Sequence, residues 1–345
     1  MTLNESLLAE IRAADQAHLP AFWNELDEAA QEKFAAQLEA VDLALPAKPT
    51  PEYVLQRPAA ALPQQLAPAP YFPLEPRNAA ECDYYRQADR RGSELLSAGK
   101  VAVLTVAGGQ GSRLGYDGPK GTYPITPVTG KSLFQYFAES LQSAMRKYNH
   151  AIDWYIMTSE LNDATTRHFF AEHDYFGLMP ERVRFFTQGT MPAIGYDGRL
   201  LLADKDSLAL SPDGHGGTLL ALRKSGMLER MRQDGVEYLS YFQVDNPLVP
   251  VVDKRFIGLH ALEAAEMSAI MLAKNDPLEK VGNFCVADGK LYVIEYSDLP
   301  EALARETGRD GRLRFIAGSP AIHVISRAFV ERLTAAGRLE LGWHR

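Results

Sequence analysis

The chain has 345 residues, 46% of them hydrophobic and 23% charged, with a formal net charge of −8. This is the usual mix of a globular protein, long enough to stabilise a core without disulfides. The negative balance excludes a broad basic surface for coating nucleic acid, but leaves room for small anions held by a few cations and backbone N–H groups.

No run approaches the roughly 18 consecutive apolar residues of a membrane helix. The start carries Glu5 and Glu10 and lacks the basic-then-apolar order of a signal peptide. Cys82 and Cys285 match no metal-ligand spacing and no disulfide framework. A cytoplasmic protein is expected, with neither nucleic acid nor membrane as a partner.

The first forty-odd residues place Leu3, Leu7, Leu8 and Ile11, and later Phe34, Leu38 and Val41, at helical spacing. Residues 46–76 hold nine of the chain's 21 prolines, so this stretch is expected to run extended. A charged helix is predicted over 78–97. Residues 1–98 are therefore read as an N-terminal helical segment with a proline-rich linker, and 99–345 as the main domain.

From residue 100 onward strands and helices alternate. Strands are predicted at 101–106, 154–158, 183–187, 238–244 and 269–273, and helices at 132–148 (capped by Ser132), 160–173 and 255–265. Hairpin turns are expected at Asp197-Gly198 and Asp288-Gly289. The alternation predicts an α/β domain with a mainly parallel sheet flanked by helices.

The strongest signal follows the first of these strands. Residues 107–121 read Ala-Gly-Gly-Gln-Gly-Ser-Arg-Leu-Gly-Tyr-Asp-Gly-Pro-Lys-Gly, with six glycines in fifteen positions. Ligands of open α/β sheets bind at the carboxyl ends of strands, and glycines let backbone N–H groups approach phosphates. The loop is neither a Walker A motif nor a Rossmann fingerprint, because Leu114 stands at the third glycine position of the latter. Instead it embeds two cations, Arg113 and Lys120.

This stretch resembles the signature of the eukaryotic-type UDP-sugar pyrophosphorylases, Gly-Gly-x-Gly-[Thr/Ser]-Arg-Leu-Gly followed by Pro-Lys-Gly. It looks most like the UDP-N-acetylglucosamine enzymes, and the likeness runs from about Glu75 to the chain's end. The resemblance implies a Rossmann-like, glycosyltransferase-A-like nucleotidyltransferase fold that joins UTP to a sugar 1-phosphate and releases pyrophosphate. It further implies that Gly108, Gly109, Gln110, Gly111 and Gly214 bind UTP. Gln188, after the 183–187 strand, would read the uracil edge, which an amide can match with both a donor and an acceptor. Asp245 would lie at the nucleotide phosphates and help hold Mg²⁺. His215, Gly282, Glu295 and Ser319 fall at positions that line the sugar pocket, Glu295 accepting hydrogen bonds from hydroxyls. Arg113 is assigned to the β- and γ-phosphates and Lys120 to charge growing at the α-phosphorus.

Two departures bear on the sugar. His215 stands where the acetylglucosamine enzymes usually have asparagine, as in glucose and broader-range relatives, and Ser319 replaces the family's sugar-contacting asparagine. N-acetylglucosamine 1-phosphate leads as substrate, with glucose or a broader range as the alternative and a non-catalytic nucleotide-sugar-binding module as the rival of another class. A nicotinamide dehydrogenase would need an acid about 20 positions after its glycines; Glu139, the nearest, lies inside a predicted helix. His168 and His173 are five apart and do not form an i, i+4 metal pair. The chain stops at Gly-Trp-His-Arg (342–345), short of two phosphate-contacting lysines that the resemblance places further on, and a fragment of a longer product is expected.

Overall fold

The computed structural model describes residues 3–47, 62–63 and 65–337. The described residues fall into two compact units, one drawing on residues 3–47 and 189–216, the other on 62–63, 65–188 and 217–337. The chain's last residues, and the prolines at 49, 51 and 58, lie outside the described residues.

At the centre of the larger unit stands Val101–Val106, five of its six residues buried. It pairs in parallel with Trp154–Thr158 on one side and Tyr238–Gln243 on the other, and Val183–Thr187 adds a fourth parallel strand. Two further strands, His323–Ser326 and Met267–Ala269, complete a six-stranded sheet but run antiparallel.

The helix Leu133–Tyr148 covers this sheet. Ser132 Oγ accepts from the backbone N–H of Gln135 at 3.1 Å, satisfying one of the free donors of its first turn. Leu133, Phe134, Phe137, Ala138, Leu141 and Ala144 recur on one face and are buried. Phe134 meets Phe170 edge-on with ring centroids 4.9 Å apart, and Phe170 meets Phe185 at 5.0 Å, so helix, helix and strand share one aromatic core.

The mainly parallel sheet expected from the sequence is thus a mixed one, and a second sheet in this unit is antiparallel throughout. The reason lies after the helix Lys254–Leu262. From there to Ser326 the strands are joined mostly by turns, and strands so joined pair antiparallel. Gly282–Ala287 and Lys290–Ile294 form a hairpin around Asp288 and Gly289, both at positive φ, as the Asp-Gly pair predicts. Ala317–Ser319 and Leu272–Ala273 extend this sheet. Ala67–Pro68, within the proline-rich stretch, pairs with Cys285 and Val286.

The single strand predicted at 269–273 is two short ones. Met267–Ala269 belongs to the six-stranded sheet and Leu272–Ala273 to the second. Their partners do the same: His323–Ser326 lies in the first sheet and Ala317–Ser319 in the second, with Ala321 between them at φ +56°. The backbone N–H of Ile270 donates to Ile322 O at 3.0 Å, so one antiparallel ribbon passes from sheet to sheet.

The helix Ala79–Ser97 belongs to the larger unit, where it crosses Lys254–Leu262 at close range. A Cβ added at Gly92 would stand 1.7 Å from Lys254 O, and one at Gly258 would stand 1.8 Å from Ala88 O. Asp89 takes Arg255 in a two-pronged ion pair at 3.0 and 2.9 Å beside this crossing.

In the smaller unit, the helices Glu5–Ala13 and Glu28–Ala40 bury Leu7, Ile11, Phe34 and Leu38 together with Leu200 and Leu208. Buried Gln16 accepts from Leu200 N at 2.9 Å and donates to Gly198 O at 3.2 Å, fixing the turn at Asp197-Gly198.

Because both contacts at the helix crossing are with backbone, side-chain adjustment cannot relieve an added methyl. Gly258→Ala is expected to cost about 2–3 kcal/mol, read as a lower thermal midpoint in calorimetry. An unchanged midpoint would show that the helices can move apart.

Candidate functional site

The central strand delivers the glycine loop to the carboxyl edge of the sheet. Ala107 N donates to Met157 O at 2.7 Å and Val244 N to Val106 O at 3.0 Å, so the parallel ladder continues up to the loop's first residue. The loop then folds back on itself. Gly111 N donates to Gly118 O at 2.8 Å and Lys120 N to Gly109 O at 3.1 Å, around a bridge between Gln110 and Pro119. An open depression of about 610 Å³ lies against Gln110, Ser112, Tyr116 and Gly118.

This folding returns Lys120 to the strand end. Its Nζ lies 2.8 Å from Asp245 Oδ2, and its side chain runs 3.5 Å from where a Cβ on Gly109 would stand. Asp245 follows the neighbouring parallel strand, which explains how two residues 125 positions apart meet. The two side chains keep 22% and 43% of their surface in water, so the pair contributes little to stability and both groups stay within reach of a ligand. Arg113, in the turn Ser112–Leu114, is exposed and forms no ion pair among the described residues.

Gln188 sits one step beyond Val183–Thr187, its N–H donating to Thr158 O at 2.8 Å. It is 8% exposed, and its Oε1 lies 2.8 Å from where a Cβ on Gly108 would stand. Glycine at 108 is therefore what lets the amide lie against the loop.

A residue the sequence did not single out holds this end together. Asn162 is fully buried; its Oδ1 accepts from Ser159 N at 2.8 Å and its Nδ2 donates to Ala107 O at 3.0 Å. It therefore ties the turn after one strand to the root of the glycine loop after the next. The helix predicted from 160 begins at Asp163, after a turn in which Asn162 N and Asp163 N both donate to Ser159 O. A Ser-x-x-Asn turn closing an apolar strand is the signal that could have found it.

Gly282, Glu295 and Ser319 come together in the second sheet. Gly282 pairs directly with Ser319, and Glu295 follows Ile294, the partner of Asn283. A Cβ on Gly282 would stand 3.8 Å from both Glu295 Oε1 and Ser319 Cβ. The Glu295 carboxylate is exposed and forms no ion pair among the described residues. Gly214 and His215 belong to the smaller unit, after its strand Leu210–Pro212, with Gly214 at φ +74°. Among the described residues no group of three or more His, Cys, Asp or Glu could hold a metal ion by itself.

The model of the UTP–glucose-1-phosphate uridylyltransferase family matches residues 69–334. The chain belongs to this family. The matched span contains the glycine loop, Gln188, Asp245 and the Gly282–Glu295–Ser319 group. Among relatives, the chain is 37% identical over 352 residues to mouse UDP-N-acetylhexosamine pyrophosphorylase-like protein 1, covering 97% of this chain and 68% of that one. It is 38% identical over 262 residues to UDP-N-acetylglucosamine pyrophosphorylase of Saccharomyces cerevisiae, covering 75% of this chain and 54% of the yeast protein. The uridine diphosphate N-acetylglucosamine pyrophosphorylase of Trypanosoma brucei, solved with an inhibitor, superposes with a TM-score of 0.79 at 26% identity, over 97% of this chain and 69% of that one. No helix among the described residues is long and apolar enough to cross a membrane.

In this uridylyltransferase-family chain, removing the Asn162 side chain strips partners from a buried N–H and a buried carbonyl. Asn162→Ala is expected to lose about 1–3 kcal/mol, measured as a drop in thermal midpoint. A wild-type midpoint would mean that the loop root is held without it.

Proposed function

We propose that this chain transfers the uridylyl group of UTP to a sugar 1-phosphate, N-acetylglucosamine 1-phosphate foremost, forming a UDP-sugar and pyrophosphate. The observation that carries the reading is the Lys120–Asp245 pair at the mouth of the glycine loop, a cation and an acid at adjoining parallel strand ends in a chain of this family. The six-stranded sheet is read accordingly as the nucleotide-binding sheet of a Rossmann-like, glycosyltransferase-A-like nucleotidyltransferase. The absence of a membrane-spanning helix among the described residues fits a soluble, cytoplasmic setting.

In the proposed reaction a phosphate oxygen of the sugar 1-phosphate attacks the α-phosphorus of UTP. A new P–O bond forms there as the bond to the β-phosphate bridge breaks, and pyrophosphate leaves with that electron pair. No protein nucleophile is required; positioning and neutralisation of charge lower the barrier. Lys120 trades its carboxylate partner for phosphate oxygens and stabilises the charge growing at the α-phosphorus. Arg113, exposed and without an ion pair among the described residues, takes the β- and γ-phosphates. Gln188 offers its amide to the uracil edge, and Glu295 accepts from sugar hydroxyls.

Asp245 is the candidate holder of Mg²⁺. A lone carboxylate suits this ion, which commonly keeps several waters and binds through one or two carboxylates together with substrate phosphates. When bound, Mg²⁺ would reduce the repulsion between two anionic substrates.

Pyrophosphate release from UTP, assayed over a panel of sugar 1-phosphates, tests the reading. Lys120→Ala is expected to lower turnover about 10²–10³-fold while leaving the thermal midpoint nearly unchanged, since its ion pair is open to water on one side. Turnover close to wild type would remove Lys120 from the mechanism. Tight UTP binding without release from any sugar 1-phosphate would favour a binding module instead.

A further inference from the structure

Behind the Gly282–Glu295–Ser319 group lies a buried lysine that the proposed reaction does not use. Lys274 is 4% exposed, and its ammonium donates to Oδ1 of Asn283, itself 1% exposed. A lysine withdrawn from water this far carries a desolvation cost of several kcal/mol, so its retention calls for a reason beyond packing.

The register supplies one. Gly282 and its partner Ser319, with Glu295 one step past the end of its strand, form a row on one face of the second sheet. Asn283, one step along, points to the opposite face, where the Lys274 side chain lies: its Cγ is 3.3 Å from where a Cβ on Gly318 would stand. The Nδ2 of Asn283 donates to Val281 O at 3.3 Å and to Ile294 O at 3.2 Å. Those carbonyls belong to the residues that immediately precede Gly282 and Glu295. Lys274 N donates to Ile316 O at 2.9 Å, joining its own segment to the one that leads into Ser319.

The chemistry of the pair fixes its direction. A carboxamide can turn over and exchange its oxygen for its NH₂, but an ammonium only donates and accepts nothing. Lys274 therefore admits one orientation of Asn283, with the oxygen toward the ammonium and both N–H donors toward the two carbonyls. Burial lowers the pKa of Lys274, opposed by Cys285, Glu279 and Asp276 nearby.

We propose that Lys274 is a positioning residue for the sugar end of the site. Its ammonium sets the orientation of Asn283, whose amide ties down the backbone before Gly282 and before Glu295. The effect is local to the second sheet. Neither Lys120, Asp245 nor Gln188 is reached by these bonds, so substrate dependence should separate the sugar from the nucleotide. The inference rests on the uridylyltransferase reading above.

The test is steady-state kinetics of the full chain, varying UTP and N-acetylglucosamine 1-phosphate separately, with the thermal midpoint of every variant. Lys274→Met keeps length and apolar bulk but loses the ammonium. It is expected to raise KM for the sugar 1-phosphate about tenfold or more and to leave KM for UTP within about twofold, in keeping with the loss of a buried charged hydrogen bond. Asn283→Asp keeps an acceptor for the ammonium but loses both donors, so it should fold even where Lys274→Met does not and should show the same split. The double variant should be no more than about twofold worse than the worse single one, because both act through one contact. Equal rises in both KM values, or an unchanged sugar KM in a folded Asn283→Asp variant, would overturn the proposal. A wild-type chain silent on every sugar 1-phosphate would overturn the function and this inference together. An active wild type with unmoved variants would overturn this inference alone.

Discussion

Parallel pairing between Val101–Val106 and Tyr238–Gln243 is the constraint from which the nucleotide end of the site is built. In a parallel pair both strands leave the sheet at the same edge, so the segments that continue from their carboxyl ends must lie side by side. Here the glycine loop continues the first strand and Asp245 the second. The loop alone would not bring Lys120 to the acid, since twelve positions separate it from Gly108. Its fold-back, through Gly111 to Gly118 and Lys120 to Gly109, brings the lysine home. Asn162 then fixes the loop's root to the turn after the next strand, Trp154–Thr158.

The second sheet is placed by a different device. The antiparallel ribbon made by residues 267–273 and 317–326 begins in the six-stranded sheet and ends in the other. Ser319 and Lys274 both lie near its far end, so the Gly282–Glu295–Ser319 group is tied by antiparallel pairing, with one irregular step around Ala321, to the strand that precedes Asp245. Loops would leave that group free to shift; a ladder does not. The division of labour proposed here, with phosphates at one sheet and hydroxyls at the other, depends on that stiffness.

Much of this was legible in the sequence where short-range physics decides it. The strands 101–106, 154–158 and 183–187 announce themselves as apolar runs, and Ser132 marks the helix it caps. The Asp288-Gly289 turn was equally plain, because few other pairs accept two positive φ angles in succession. What escaped was set by partners distant in sequence. The run 269–273 has the composition of one strand, and only its pairing with 317–326 shows that it changes sheets. Asn162 resembles an ordinary helix start until Ala107 O is found to need its donor. Lys274 carries no signal at all, since a lysine in a Lys-Asn-Asp stretch belongs on a surface by composition. The resemblance supplied Gln188, Asp245, Gly282, Glu295 and Ser319; composition and spacing alone would have left each as a turn or a strand end.

The electrostatics of the proposed site turn on how weakly Lys120 is held. The chain as a whole is negative, so long-range attraction gives little help to a triphosphate, and the binding must come from groups that can be released locally. A lysine buried against Asp245 would resist transfer, because leaving one charge unpaired away from water costs several kcal/mol. At the observed exposures the pair is worth about 0–1 kcal/mol, less than a charge-assisted bond to phosphate provides. Lys120 can therefore exchange partners without strain on the fold, and in the proposed reaction that exchange would leave Asp245 open to a cation. The contrast with Lys274 is physical: in the proposed reaction the partly exposed Lys120 lets go of its partner, whereas the buried Lys274 keeps Asn283.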